Sequence, residues 1–152
     1  MTRALVIVPC GSLKIWGKQP SAGATRAADA YIGSLFNKNK TYAERFATDW
    51  LILSAKYGLI SPDFLIPGSY NVTFKKKATC PIPISEVVRQ AQGIDIRKYD
   101  VVVGLGGVGY CTVVKAAFSS SRLEFPFRGL KLGPMMSSIN RALETGQMRP
   151  SR

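Results

Sequence analysis

Three apolar runs punctuate the chain, and each breaks off abruptly into small, polar or glycine residues. Leu5-Val6-Ile7-Val8 stops at Pro9-Cys10-Gly11-Ser12, Leu51-Ile52-Leu53 at Ser54-Ala55-Lys56-Tyr57-Gly58, and Val101-Val102-Val103 at Gly104-Leu105-Gly106-Gly107-Val108-Gly109. None of the three alternates apolar with polar residues, which suits central parallel strands covered on both faces. Between them the period changes. Over residues 26–48 Tyr31, Leu35, Tyr42 and Phe46 fall at helical spacing, with a break at Gly33-Ser34 and with Asn37-Lys38-Asn39-Lys40 on the solvent side. A second helix is predicted with Ser85 as N-cap, Val87 and Val88 inward and Gly93 as its stop, and a third runs over residues 110–118. Residues 123–127 read as a last short strand broken by Pro126. Gly133-Pro134 opens a final helix with proline at the first helical position, Met135, Met136, Ile139 and Leu143 as its apolar face, and Gly146 closing it.

This order predicts a three-layer α/β fold: one domain over residues 1–152 with a mostly parallel central sheet. Its ligand crevice is expected at the carboxyl ends of the strands, where the three polar tips form one rim. Residues 10–25 read as a long loop in which Trp16 either pins the loop to the core or stacks on a base. Residues 65–74 read as a turn followed by a short extended segment, and residues 147–152 as a basic, frayed tail.

Charge changes the picture most. Lys and Arg number 21 against 9 Asp and Glu, a net charge of +12, which builds a field that attracts polyanions; nucleic acid is the partner expected, with a generally basic protein or one touching anionic membrane as the alternatives. The run Lys75-Lys76-Lys77, beside an aromatic and an amide, is a candidate grip on the DNA backbone or a solvated loop. With no histidine in the chain, Ser-His-Asp and Cys-His chemistry, histidine-ligated metal and an imidazole base are excluded. Cys10, Cys80 and Cys111 show no Cys-x-x-Cys spacing, so neither a disulfide framework nor a zinc site is expected. No apolar run has the length of a signal-peptide core or a membrane span, so a cytoplasmic protein with no membrane association and no obligate protein partner is expected. Gly104-x-Gly106-x-x-Gly109 matches a dinucleotide fingerprint, but it lies late in the chain and position 129, about 20 residues on, is glycine rather than an acid. No cofactor is therefore expected; the glycine loop can still cradle a phosphate at a helix N-terminus.

Several stretches together resemble a known group: Cys10-Gly11-Ser12-x-Lys14, Ala28-Asp29-Ala30-Tyr31-Ile32-Gly33-Ser34-Leu35-Phe36, the run from Leu53 through Lys56-Tyr57-Gly58 to Pro62-Asp63, and residues 67–74. They resemble a bacterial and phage domain family of unknown function, distantly similar to the DNA-binding YaaA peroxide-stress family. Residues 99–118 and 129–143 look like the later parts of that family. Members of the broader group look like base-excising DNA glycosylases, some directed at modified bases of phage DNA as a defence. The resemblance implies hydrolysis of the N-glycosidic bond of a flipped-out base, leaving an abasic site; a non-catalytic DNA-binding protein and an enzyme on free nucleosides or nucleotides are the alternatives.

A glycosylase needs a carboxylate or amide to position water beside an oxocarbenium-like sugar, and donors near the departing base. On this reading Asp29 is the carboxylate. Asn71, standing where the family tends to have Asp, is the second candidate, or a reader of the flipped base. Lys56 and Ser54 serve the leaving base or a phosphate; were Lys56 a Schiff-base nucleophile, the product would be a nicked strand. Tyr31 and Tyr57 stack on the base, and Cys10, Gly11, Ser12, Lys14, Arg26, Gly106 and Gly107 complete the substrate site. Each residue has a plainer reading beside this one: Lys56 paired with Asp63, Tyr57 in the core, Asn71 capping a turn, Asp29 serving a helix dipole.

Overall fold

The computed structural model describes residues 2–149. In chain order the elements are β1 (Ala4–Pro9), α1 (Ile15–Lys18), β2 (Thr25–Arg26), α2 (Ala27–Ala30), α3 (Ser34–Phe46), β3 (Asp49–Ser54), β4 (Gly58–Ile60), β5 (Leu65–Ile66), α4 (Ile84–Gln92), β6 (Val101–Gly104), α5 (Val108–Ala117), β7 (Leu123–Glu124) and α6 (Leu132–Thr145). The main sheet has the order β4-β3-β1-β6-β7; β3, β1, β6 and β7 run parallel and β4 folds back antiparallel on β3. The three-layer α/β fold with a mostly parallel sheet is the one the apolar runs predict.

β1 is buried at every position because it is central, and its side chains divide between two cores. Ala4, Val6 and Val8 join Phe36, Tyr42, Met135 and Ile139 on the face covered by α3 and α6. Leu5 and Ile7 join Val87, Val113 and Phe118 on the face covered by α4 and α5. The chain leaves β1 towards α3 on one face and leaves β6, the neighbouring strand, towards α5 on the other. Two adjacent parallel strands whose loops diverge in this way leave a crevice between their tips.

Register aligns those tips. Pro9 lies opposite Leu53 and Ile7 opposite Gly104, while Cys10 N–H donates to the Leu53 carbonyl at 3.0 Å and Leu105 N–H to that of Ile7 at 3.0 Å. Gly106 then bends the chain with a φ of +96°, and a Cβ there would stand 2.6 Å from Pro9 Cγ. Only glycine brings the β6 loop this close to the end of β1.

Several local expectations are corrected. Residues 10–25 are not loop throughout but hold α1, and Trp16, 8% exposed, pins the segment by donating its indole N–H to the Gly23 carbonyl at 2.8 Å. The helical stretch over residues 26–48 divides into α2 and α3, with Tyr31 extended between them rather than on the α3 face. Asn39 is fully buried rather than on the solvent side. It falls on the stripe Phe36, Asn39, Tyr42 and Ala43, and that stripe is enclosed because α3 packs on both β1 and α6. Pro83, not Ser85, is the N-cap of α4: the Pro83 carbonyl receives the Glu86 N–H at 3.0 Å, and no side chain caps that end. In α6 Leu132 takes the first helical position and Pro134 the third, still within the turn whose N–H groups have no helical partner. β4 and the small antiparallel pair of β2 with β5 have too few residues to show a period. Residues 147–149 are anchored rather than frayed: Tyr42 donates to the Met148 carbonyl at 2.7 Å, and Arg149 pairs with Glu124 at 2.8 Å. The rest of the expected tail, residues 150–152, lies outside the described residues.

Candidate functional site

At the crevice between the tips of β1 and β6 lies a cavity of about 640 Å³, within the range of small-molecule sites. Pro9 and Cys10 form its side after β1; Gly106, Gly107, Val108, Gly109 and Tyr110 form its side after β6. Leu35 of α3, Leu132 and Met135 of α6, and Thr73, Phe74 and Lys75 complete the wall. Phe74 and Tyr110 meet edge to face with ring centroids 5.6 Å apart, an arrangement aromatic pairs favour.

Beside the cavity the tip of β3 carries a hydroxyl network. Ser54 is fully buried, and its Oγ accepts the backbone N–H groups of Lys56 and Tyr57, each at 3.1 Å. Both lone pairs are thereby used, so the Ser54 hydroxyl donates its own proton to the Tyr70 hydroxyl at 3.0 Å. Tyr70 is hydrogen-bonded in turn to the Tyr31 hydroxyl. Burial, followed by the nearby Cys10, pushes the Tyr70 phenol up to about 12; burial raises Tyr31 well beyond the ordinary phenol range. Both phenols are neutral donors and acceptors at neutral pH.

Two cations converge on Tyr70. Lys14 Nζ lies 4.4 Å from its ring centroid and Lys56 Nζ 5.4 Å, while Tyr57 meets the same ring edge to face at 5.6 Å. Desolvation by burial lowers the Lys14 ammonium below its usual range. The turn carrying Lys56 and Tyr57 is latched to α4 by Gln90, whose side chain donates to the Tyr57 carbonyl at 2.9 Å and accepts the Leu59 N–H at 2.8 Å. Gly58 has a φ of +76°, and a Cβ there would lie 2.2 Å from the Gln90 oxygen. The glycine and the glutamine fit each other. Cys10 lines the cavity, and its Sγ lies 3.5 Å from the Tyr110 hydroxyl on the same wall.

The structure thus brings together Cys10, Lys14, Tyr31, Ser54, Lys56, Tyr57, Gly106 and Gly107 of the predicted site, with Lys75 on the cavity wall. Tyr31, 1% exposed and packed on Phe36, offers no free ring face for stacking; its part is played through its hydroxyl. Tyr57 is half-buried between Phe64 and Tyr70. Gly11 is half-buried and Ser12 exposed, the latter giving its carbonyl to Lys14 Nζ at 3.4 Å. Asn71, Lys76 and Lys77 are exposed and outside the cavity wall.

Asp29 and Arg26 belong to a different group. Arg26 donates to Asp63 at 3.0 Å through Nε and to Asp29 at 3.0 Å, and Lys40 Nζ stands 3.9 Å from Asp29. Asp63 is thus the partner of Arg26, not of Lys56. No carboxylate is among the described residues that line the cavity.

Sequence reasoning did not single out Tyr70, Phe74 and Tyr110. The first two lie in residues 67–74, read above as a turn and extended segment and quoted for resemblance, with Phe74 noted only as the aromatic beside the lysine run; Tyr110 directly follows the glycine loop, and an aromatic one residue beyond such a loop is the local signal that could have found it.

The chain belongs to the family of unknown function DUF6884, whose model matches residues 5–141. It is 37% identical over 144 residues to the uncharacterized protein YfjM of Bacillus subtilis (strain 168), covering 93% of this chain and 96% of that protein. No solved structure matches it. This membership agrees with the resemblance to a domain family of unknown function; neither match bears on the likeness to YaaA or to DNA glycosylases.

Proposed function

We propose that this DUF6884 member binds DNA through its basic surface, receives one flipped-out nucleotide in the cavity between β1 and β6, and hydrolyses its N-glycosidic bond. The observation that carries the reading is the cavity itself: aromatic and aliphatic walls, a glycine loop at a helix start, and a lysine at the edge, in a chain of net charge +12. An extruded base needs flat apolar walls to replace its lost stacking, and the strained strand needs cations to hold it. Phe74 and Tyr110 supply rings, and Lys75 leads from the wall into the exposed Lys76 and Lys77.

Hydrolysis adds water to the sugar carbon as the bond to the base nitrogen breaks, and the departing base takes up a proton. Asp29 is the carboxylate assigned to the cationic sugar, a role that requires it to leave Arg26 and Lys40, which hold it outside the cavity wall; the Tyr70 hydroxyl, neutral and held by Ser54, is the donor assigned to the departing base. A modified base in phage DNA is the substrate class the family resemblance suggests.

A second reading, DNA binding without turnover, is favoured by one observation: Asp29 is engaged by Arg26 and Lys40, outside the cavity wall. One experiment separates the two. The protein is incubated in chelator with ordinary and heavily modified phage DNA, released bases are sought by mass spectrometry, and abasic sites by alkali cleavage. Base release that Asp29→Asn abolishes, with DNA binding retained, is the expected result. Salt-sensitive binding with no release from either DNA would leave the binding reading in place.

A further inference from the structure

We propose that Lys14 and Lys56, converging on the Tyr70 ring, form a binding site for a phosphate group, and that this phosphate belongs to the strand whose nucleotide enters the cavity; the second clause rests on the nucleic-acid reading above. The two lysines come from different strand tips, after β1 and after β3, yet both ammoniums lie over one ring, at 4.4 Å and 5.4 Å from its centroid. They are therefore at most about 10 Å apart. Converging like charges raises the free energy of a fold unless something negative joins them.

Nothing inside the described protein does so. Among the described residues neither lysine forms an ion pair, whereas Arg26 and Lys40 nearby share Asp29, and Arg26 also takes Asp63. The Tyr70 ring offsets part of the repulsion through its negative face. Lys14 is also half-buried, so water replaces its missing counter-charge only in part.

Rigidity strengthens the case. Ser54 fixes both the turn that carries Lys56 and the hydroxyl of Tyr70, and Tyr31 holds that hydroxyl from the other side. The backbone of Lys14 is tied to that of Tyr31 by an isolated antiparallel bridge. Two ammoniums presented on a fixed ring suit a compact, multiply charged group such as phosphate. Cys10 lines the cavity, and Lys14 follows it four residues on along the same strand tip. A phosphate at Tyr70 and a base in the cavity are the two ends of one nucleotide unit, which sets a nucleotide, rather than a free nucleoside, as the substrate class.

The test is a double-mutant cycle. Affinity for a fluorescein-labelled single-stranded oligonucleotide is measured across a salt series for the wild type, Lys14→Gln, Lys56→Gln, the double variant, and Lys115→Gln as an equal change of net charge on exposed α5. Each site variant is expected to weaken binding about tenfold and to lower the salt slope by roughly one phosphate contact, the double variant to lose little more than either single, and Lys115→Gln to lose less than about twofold. Losses that multiply in the double variant, or that Lys115→Gln equals, would overturn the shared site. If no oligonucleotide binds at any salt concentration, the nucleic-acid reading fails by itself. Phosphorus NMR of inorganic phosphate then decides the site: broadening by the wild type that the double variant abolishes supports a site for free phosphate, and no broadening overturns it.

Discussion

Two polar clusters lie at the ends of β3 and its neighbours, and they are built in opposite ways. Around Arg26, charges meet charges: Asp29 and Asp63 flank the guanidinium, Lys40 approaches from α3, and the two carboxylates and the guanidinium are each at least half exposed. Around Tyr70, hydroxyls meet hydroxyls in a buried network, and the two lysines that approach find a ring instead of a carboxylate. The first cluster pairs its charges within the protein and is water-screened, so Asp29 meets a ligand only by leaving Arg26 and Lys40. The second is structurally complete and electrostatically open. The difference teaches that charged residues in a sequence do not mark a binding site by themselves; the informative ones are those that the fold holds in place without neutralising.

The contrast can be tested from its rigid side first. Gly106→Ala puts a Cβ against Pro9 in a left-handed backbone, so it is expected to cost about 2–4 kcal/mol, measured as a lower urea midpoint. Gly107→Ala next to it, at a φ of −78° with open space around its Cβ, should be nearly neutral. Equal effects would mean the close approach of the two loops is not what shapes the cavity.

Ser54→Ala follows in size. It removes a buried hydroxyl that accepts two backbone N–H groups and orients Tyr70, and a loss of about 2 kcal/mol is expected. The same variant should restore freedom to Lys56 and so weaken oligonucleotide binding, whereas Ser61→Ala, at an exposed hydroxyl that caps only the Asp63 N–H, should leave binding unchanged.

Alkaline pH comes next. Tyr70 is neutral in the fold up to about 12, against about 10 in an unfolded chain. A raised phenol gives stability that is fully present below about pH 10 and is lost as pH rises through the folded value near 12. Ultraviolet titration of tyrosinate should show Tyr70→Phe deleting a late-ionising phenol, and the alkaline fall in the urea midpoint should become shallower. An unchanged profile would place Tyr70 in a wetter setting than the hydroxyl network implies. The smallest effect is expected from Arg26→Gln: an exposed pair on either side of it is lost, and the urea midpoint should hardly move, less still in about 1 M salt, where screening extends to about 3 Å. A large drop would make that cluster part of the scaffold.

How much of this was readable in advance follows from the range of each interaction. Apolar runs such as Leu5–Val8 and Val101–Val103 declare buried strands locally, because a segment covered on both faces has no place for polar residues. Their glycine and polar ends, Cys10, Ser54 and Gly106, declare a rim for the same reason. Ends of α4 and α6 were misplaced by a residue or two, since Pro83 and Leu132 compete with Ser85 and Pro134 for positions that a first turn tolerates equally. Asn39 was misassigned because its burial depends on two partners of α3, neither of them near it in sequence.

The sequence by itself determined the α/β class, the mostly parallel sheet, the strand tips that border the cavity, and a net positive charge. Those depend on hydrophobic period, chain punctuation and summed charge, all of which are written residue by residue. Only the tertiary structure decided that Arg26 pairs with Asp63, that Tyr70 receives the Ser54 proton, and that Lys14 and Lys56 meet on one ring. These are contacts between segments 16 or more residues apart, set by register and loop path, and no local pattern encodes which distant partner a polar side chain will find.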